Sequence, residues 1–397
     1  MKTLSLLILL CAAQLSAANR YFVNGGTNNN YGTSGNWSTT DNGAGGAGVP
    51  TSADAVFFTA NSPDCTVDTT TRSALSLDFT GYTRVITLNA ALQVSGNITL
   101  SAGMGNAAGT SALTPIATST LTSNGKPWTA PLTFPNLVTY TLADIWTVSG
   151  LLTFGATSAS PTINGFQLTA TGSVTFANTT GNINGTTLLL MNGTGTMTSS
   201  MTTGVMKLPW TINTAGTITF TAGNLNYNTG TFTYTAGTIV GASGIAFSVP
   251  STSGGNTTLA VGGITWGSVV LNGAFTYTLN DTLNSVGLVT VGSTVASTVI
   301  NGSKINCAAG LRYAGTTGTI SGTTVFNLTG TGSVDAPSIT TGKVLNPITL
   351  AAGSGTITVS GLFPIDFSKL KVTSGTVITD TGPWASGTTH LKGHTFQ

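Results

Sequence analysis

Residues 139–144 read TYTLAD, and residues 276–281 read TYTLND. These two stretches open an ungapped alignment of residues 138–195 with residues 275–332, in which 26 of 58 positions are identical at an offset of 137. Chance matches in a chain rich in Thr and Gly are short, so an alignment of this length indicates an internal duplication. Such self-similarity is the sequence signature of repeat architectures.

The stretch GTITFTAG at residues 216–223 shows the period of the secondary structure. Its apolar residues, Ile218 and Phe220, alternate with threonines, and this period of two predicts strands with one side toward a core. Similar short stretches end in Gly, Asn or Ser, which turn a chain at little cost. We predict an all-β fold, a parallel β-solenoid (β-helix) built from duplicated coils. An array of β-sandwiches and an outer-membrane barrel remain alternatives, because both show the same alternation.

Charge is scarce throughout the chain. Asp, Glu, Lys and Arg make up 6% of the residues, against roughly 25% in ordinary domains. Thr, Ser, Asn and Gly fill the surface in their place, and these residues are weak helix formers. The formal net charge of +2 gives no reason to expect nucleic acid or an anionic membrane as a partner.

Residues 1–18 have the features of a secretory signal peptide. Lys2 supplies the positive charge, the apolar run from Leu4 to Ala13 follows, and Ser16 and Ala18 are the small residues before a cleavage site. The apolar run is too short to span a bilayer. The sequence therefore predicts a secreted protein that is extracellular or attached to the cell surface, with no membrane span in the mature chain.

The mature chain divides into three predicted segments. Residues 19–80 are an N-terminal cap, residues 81–381 hold the solenoid repeats, and residues 382–397 form a C-terminal tail. Open strand edges at the end of a solenoid can pair with another chain. The tail, with Lys392, is expected to guard that edge, and its removal to cause end-to-end self-association.

The N-terminal cap carries a resemblance. It reads GNWS from Gly35, GVPTSADAVFF from Gly48, CTVD from Cys65 and LDFTGYT from Leu77. This order resembles the start of secreted bacterial β-solenoid surface proteins. It is similar, more loosely, to the eight-glycine β-domain of cell-surface proteins. The resemblance implies the fold and an extracellular setting, and it implies no activity.

The residues that carry catalysis are few and dispersed. Both histidines, His390 and His394, lie in the tail without a third ligand nearby, and a Ser or Cys nucleophile needs an adjacent base. Beyond the cap the carboxylates are scattered, at Asp144, Asp281, Asp335, Asp366 and Asp380. We therefore predict that the chain is not an enzyme and has no catalytic residue, no metal site and no cofactor.

Several residues are weighed as minor candidates. Asp144 and Asp281 occupy equivalent positions of the duplication and are interpreted as turn residues that bond their own backbone; a repeated calcium or ligand site is the alternative. A calcium site in the cap would use Asp54, Asp64 and Asp68, although their spacing matches no EF-hand loop. Cys65 and Cys307 are interpreted as two separate small apolar residues. The candidates for stacking on sugars are Trp37, Trp128, Trp146, Trp210, Trp266 and Trp384.

Together these features predict a non-catalytic structural or adhesive protein of the cell surface or extracellular matrix. The alternative is a carbohydrate-binding solenoid that uses exposed aromatic residues, so surface glycans and other surface proteins are the expected partners. Ice binding needs one regular file of Thr along a face, and the irregular Thr spacing argues against it. A polysaccharide-degrading enzyme is the remaining alternative.

Overall fold

The computed structural model describes residues 17–135, 137–155, 158–228, 230–249, 255–293, 296–315, 317–337, 340–361 and 369–379. Within these ranges the regular elements are strands, apart from two single-turn 3-10 helices at Ser34–Asn36 and Ala242–Gly244. Successive strands pair in parallel from one coil to the next, which confirms the predicted all-β parallel solenoid.

The strands are short in most coils and longer near the middle and the end of the rod. Those of the first half are Asn19–Phe22, Trp37–Ser38, Ala55–Phe57, Cys65–Val67, Arg72–Ala74, Ser76–Asp78, Ile86–Leu88, Leu92–Val94, Ile98–Thr99, Ala108–Gly109, Leu113–Pro115, Ser119–Thr122, Leu132–Phe134, Thr139–Leu142, Trp146–Val148, Leu152–Phe154, Thr162–Gly165, Leu168–Ala170, Val174–Phe176, Asn184–Gly185, Leu189–Met191 and Gly195–Ser199. Those of the second half are Trp210–Ala222, Asn224–Asn226, Gly230–Val240, Ala246–Val249, Thr257–Ala260, Thr265–Trp266, Ser268–Leu271, Thr276–Leu279, Leu283–Ser285, Val289–Val291, Thr298–Gly302, Ile305–Cys307, Gly310–Tyr313, Ile320–Ser321, Phe326–Leu328, Gly332–Ala336, Ile348–Gly361 and Leu370–Thr379.

Each coil of the duplicated blocks has three strands joined by tight turns, so the rod has three sides. In one coil the strands are Thr139–Leu142, Trp146–Val148 and Leu152–Phe154, and each pairs with the matching strand of the next coil. We call the sides that carry these three strands face 1, face 2 and face 3. Coil length differs along the rod. Successive partners on face 3, at Leu92, Leu113, Leu132 and Leu152, lie 19 to 21 residues apart, whereas Phe232 and its partner Leu259 lie 27 residues apart.

The alternation seen in the sequence separates core from surface. In Leu152–Phe154 the two end residues are fully buried and the central Thr153 lies on the outside. The same pattern repeats in the coils before and after, so the inward residues form continuous columns, each side chain contributing about 1.5–3 kcal/mol through burial. The axis of the rod is therefore one uninterrupted hydrophobic core.

An antiparallel pair stands at the N-terminal end of the stack. Asn19–Phe22 pairs antiparallel with Trp37–Ser38 on one edge and parallel with Ala55–Phe57 on the other. Parallel stacking then continues from Ala55–Phe57 to Ser76–Asp78. The predicted cap at 19–80 thus contains both a covering strand and the first parallel coils.

The two copies of the duplication fold alike, as predicted. Three consecutive strands, Thr139–Leu142, Trp146–Val148 and Leu152–Phe154, recur as Thr276–Leu279, Leu283–Ser285 and Val289–Val291 in the second copy. Gly150 and Gly287 also keep one role, because a Cβ on either would overlap a backbone carbonyl group of the preceding coil, that of Ala130 or Gly267.

The second copy is nevertheless turned by one face around the rod axis. A single column of inward residues begins on face 2 and runs through Trp146, Leu168, Leu189, Trp210, Phe232, Leu259 and Leu279. The last of these, Leu279, is the counterpart of Leu142, which lies on face 1. The offset between the copies is therefore not a whole number of coils. Equivalent outward residues of the two copies face solvent in directions that differ by about a third of a turn.

Candidate functional site

The tryptophans are core residues. Trp37, Trp128, Trp146, Trp210 and Trp266 are all fully buried, while Trp384 lies outside the described residues. The suggestion that they stack on sugars is therefore wrong for these five, and the core role inferred for Trp146 is confirmed. Each occupies an inward position, where its large apolar side chain fills the space between the three faces.

The cysteines are separate and unreactive in their surroundings. Cys65 and Cys307 are both buried and are not bonded to each other. Burial raises the pKa of both thiols well above the ordinary value, and the charge of Asp68 adds to the effect at Cys65. A thiol held in its protonated form is a poor nucleophile, so both residues serve as small apolar core residues.

Asp144 and Asp281 bond the coil before them, not their own turns. The Asp144 carboxylate accepts hydrogen bonds from the backbone N–H groups of Ser123 at 2.7 Å and Asn124 at 2.6 Å. The Asp281 carboxylate accepts one from the N–H of Val261 at 2.7 Å, and Val261 is the counterpart of Asn124. The interpretation as local turn residues is corrected: these carboxylates tie one coil to the next.

The aspartates of the cap have separate partners. Asp68 forms an ion pair with Arg72 at 2.8 Å, and Asp64 accepts a hydrogen bond from the N–H of Val85. Asp54 accepts hydrogen bonds from the N–H and hydroxyl of Thr51. The calcium site considered for these residues is not assembled. Across the described ranges, no group of three His, Cys, Asp or Glu side chains is close enough to hold a metal ion.

Several residues named as candidates from the sequence lie outside the described part of the chain. These are His390, His394, Asp366, Asp380 and Lys392, together with residues 1–16 of the signal peptide and the tail 382–397.

Face 3 carries a regular file of threonines. The outward residues Thr133, Thr153, Thr175 and Thr198 are partners in four successive coils, and the hydroxyl of Thr198 lies 2.7 Å from that of Thr221 in the next. The expectation that irregular spacing argues against such a file was wrong. The sequence intervals between these threonines differ because the corners contain different numbers of residues, while strand pairing keeps Thr133, Thr153, Thr175 and Thr198 in register.

Face 1 holds a groove near the N-terminal end of the rod. One outward column runs through Tyr21, Phe57, Asp78, Thr99 and Thr122, which are partners from coil to coil. The Tyr21 and Phe57 rings stack with their centroids 4.9 Å apart and an interplanar angle of 18°. A groove of about 460 Å³ begins at Phe57 and is lined by Ser76, Asp78, Asn97 and Thr99, with Leu75, Leu77 and Gly96 completing the wall.

The polar groups of this groove are partly fixed by the backbone. Asp78 Oδ1 accepts a hydrogen bond from the N–H of Thr80 at 2.8 Å, and Asn97 Oδ1 accepts one from the N–H of Thr120 at 2.9 Å. Neither Phe57 nor Tyr21 was singled out from the sequence. The alternation in AVFF could have marked Phe57 as outward, but its pairing with Tyr21 depends on the register.

Comparison with known proteins adds no further assignment: no protein-family model, no curated protein and no solved structure matches the chain. The resemblance of the cap to bacterial surface solenoids therefore stays a prediction. No helix in the described ranges has the length and apolar character needed to cross a membrane.

Proposed function

We propose that this chain is a secreted, non-catalytic structural or adhesive protein of the cell surface or extracellular matrix. The observation that carries the proposal is that its carboxylates are hydrogen-bonded within the protein. Every aspartate in the described part accepts a hydrogen bond from the protein itself, including Asp41 from Thr59 and Asp335 from Arg312. Asp64, Asp144, Asp281 and Asp335 link one coil to the next in this way. General acid–base catalysis needs paired groups directed at a substrate.

The walls of the rod support the same proposal. Their outward positions carry hydroxyl and amide groups in files, such as the threonines of face 3. Asn284, Asn306 and Asn327 form another file, linked by amide hydrogen bonds of 2.8 and 2.9 Å. Such uncharged walls present many weak hydrogen-bonding groups over a long surface, which suits scaffolding and multivalent adhesion.

The test uses the mature chain from Asn19 to Gln397 coupled to beads. We expect these beads to be retained on cells or deposited matrix more than beads carrying albumin, and we expect no release of reducing sugar from polysaccharides. N-terminal sequencing of the exported protein should begin at Asn19. Release of reducing ends by the chain would contradict the proposal, as would retention no greater than that of albumin beads.

Carbohydrate binding is the second candidate. The groove at Phe57 on face 1 favours it, in place of the buried tryptophans.

Ice binding is supported by the regular threonine file of face 3, which removes the objection based on Thr spacing. Measuring thermal hysteresis with the wild-type chain and with Thr175→Lys decides that case: equal values for both proteins would exclude face 3.

A further inference from the structure

We propose that the groove on face 1, from Phe57 to Thr99, binds an uncharged polysaccharide chain. The proposal rests on the carbohydrate-binding candidate and gives it a site and a ligand class. Its first support is shape. The groove spans three successive coils, so with a strand spacing of about 4.8 Å it extends roughly 10 Å along the rod. That length and its volume of about 460 Å³ suit a short run of sugar rings.

Phe57 is half-buried and lines the groove. Tyr21, from the preceding coil, stacks on one side of Phe57. The residue paired with Phe57 on the other side is Asp78, which is much shorter than an aromatic ring. The open face of Phe57 therefore forms the end wall of the groove. A sugar ring presents C–H groups on its faces, and an aromatic ring provides a flat apolar surface for them.

The polar groups next to Phe57 match sugar hydroxyls. A carboxylate has two oxygens with about four acceptor positions, and within the described residues the Asp78 carboxylate accepts one hydrogen bond, from the N–H of Thr80 to Oδ1. Asn97 adds an amide with two donors, and Ser76 and Thr99 add hydroxyls that donate and accept. Adjacent hydroxyls on a sugar both donate and accept, so this set can satisfy them on the edge of a ring that rests on Phe57.

Charge selects neutral chains over acidic ones. Among the described ion pairs none involves Asp78, so its carboxylate faces the groove without a paired cation. An anionic polysaccharide would place like charges close together in a partly desolvated groove, which is unfavourable. Between acidic and neutral glycans, the groove therefore favours the neutral class.

The test is affinity electrophoresis of the mature chain in native gels containing laminarin, xyloglucan, galactomannan or dextran, with polygalacturonate as the acidic comparison. We expect at least one neutral polysaccharide to retard the protein and polygalacturonate not to do so. Phe57→Ala and Asp78→Ala should each weaken retardation at least about tenfold, which corresponds to about 1.4 kcal/mol, whereas Phe57→Tyr should preserve it.

The matched control is Thr175→Ala, an outward substitution on face 3 that should leave retardation unchanged. Thermal melting by circular dichroism checks that each variant is folded. Failure of all four neutral polysaccharides to retard the wild-type chain overturns the proposal, as does equal retardation of the folded Phe57→Ala variant. A chain that adheres to cells without being retarded would keep the adhesive function and remove this site.

Discussion

Replacing Trp210 tests how the core stabilises the rod. Its indole ring is fully buried and stacks on Phe232 with centroids 4.3 Å apart and an interplanar angle of 5°. It also meets the edge of Phe176 at 6.2 Å. Trp210→Ala removes all of this packing and leaves a cavity, so we expect a loss of about 3–5 kcal/mol in the free energy of unfolding.

Trp210→Phe should cost much less. The indole N–H of Trp210 is buried without a hydrogen-bond partner in the described part of the chain, and an unsatisfied buried donor costs about 1–3 kcal/mol. Phenylalanine removes that donor and keeps a ring over Phe232. Removing the unsatisfied donor offsets much of the free energy lost with the smaller contact area, so the net cost should lie below about 2 kcal/mol.

Trp37 provides the matched comparison because its indole N–H is bonded. Trp37 Nε1 donates to the carbonyl oxygen of Tyr31 at 2.6 Å. Trp37→Phe leaves that buried carbonyl oxygen unpaired, so we expect Trp37→Phe to destabilise the protein by about 1–3 kcal/mol more than Trp210→Phe.

Urea denaturation followed by circular dichroism measures these differences. Hydrogen exchange of the strand Trp210–Ala222 accompanies it, because solenoid coils can open locally. Two results would refute the reasoning: a Trp210→Phe variant as unstable as Trp210→Ala, or a Trp37→Phe variant no less stable than Trp210→Phe.

Three further predictions follow from other contacts. Gly150→Ala and Gly287→Ala should each lower the melting temperature, because the added Cβ overlaps backbone of the preceding coil, whereas Gly244→Ala, with open space around it, should not; equal melting temperatures would disprove the close approach. Asp144→Ala should lose about 1–3 kcal/mol by leaving the N–H groups of Ser123 and Asn124 without their acceptor, and Asp281→Ala should lose less, since it bonds one N–H; urea denaturation of both variants checks this order. Burial raises the pKa of Tyr277 to about 12, above the value of about 10 in the unfolded chain. The unfolded state therefore releases its proton first, and stability should fall between about pH 10 and pH 12. The fall should be smaller in Tyr277→Phe, and an unchanged pH dependence of the melting temperature would contradict this assignment.

The alternation of apolar and hydroxyl residues predicted the strands, and the duplication favoured the solenoid over the β-sandwich array and the barrel. In a strand such as Leu152–Phe154, Leu152 and Phe154 are buried and Thr153 is outward, so one side of the strand packs on a core. The duplication repeats strands of this kind along the chain. The correspondence of Gly150 and Gly287 could be read from the alignment as well, but the clash that fixes their role could not, because it involves backbone of the preceding coil.

Lateral position around the rod was not predictable in the same way. It depends on how many residues each corner contains. That number is set by how the strands pair, and it cannot be read from the composition. For this reason the threonine file of face 3 was missed despite its regularity. The Tyr21–Phe57 stack was missed because the antiparallel excursion through Trp37–Ser38 separates two residues that are neighbours in space. Asp144 was assigned to its own turn because its backbone partners belong to the preceding coil and are distant in sequence.

The one-face rotation between the two copies bears on how such a rod can grow. A three-sided coil has three corners, and an inserted segment can join the stack at any of them if its strands continue the columns they meet. Lengthening by recombination is therefore not confined to whole coils; a fragment that adds several coils and one further strand is also accommodated. Each such event points the copied surface in a new direction. A solenoid of this kind could be engineered to display one sequence motif on two or three sides, by choosing the corner at which the copy is spliced.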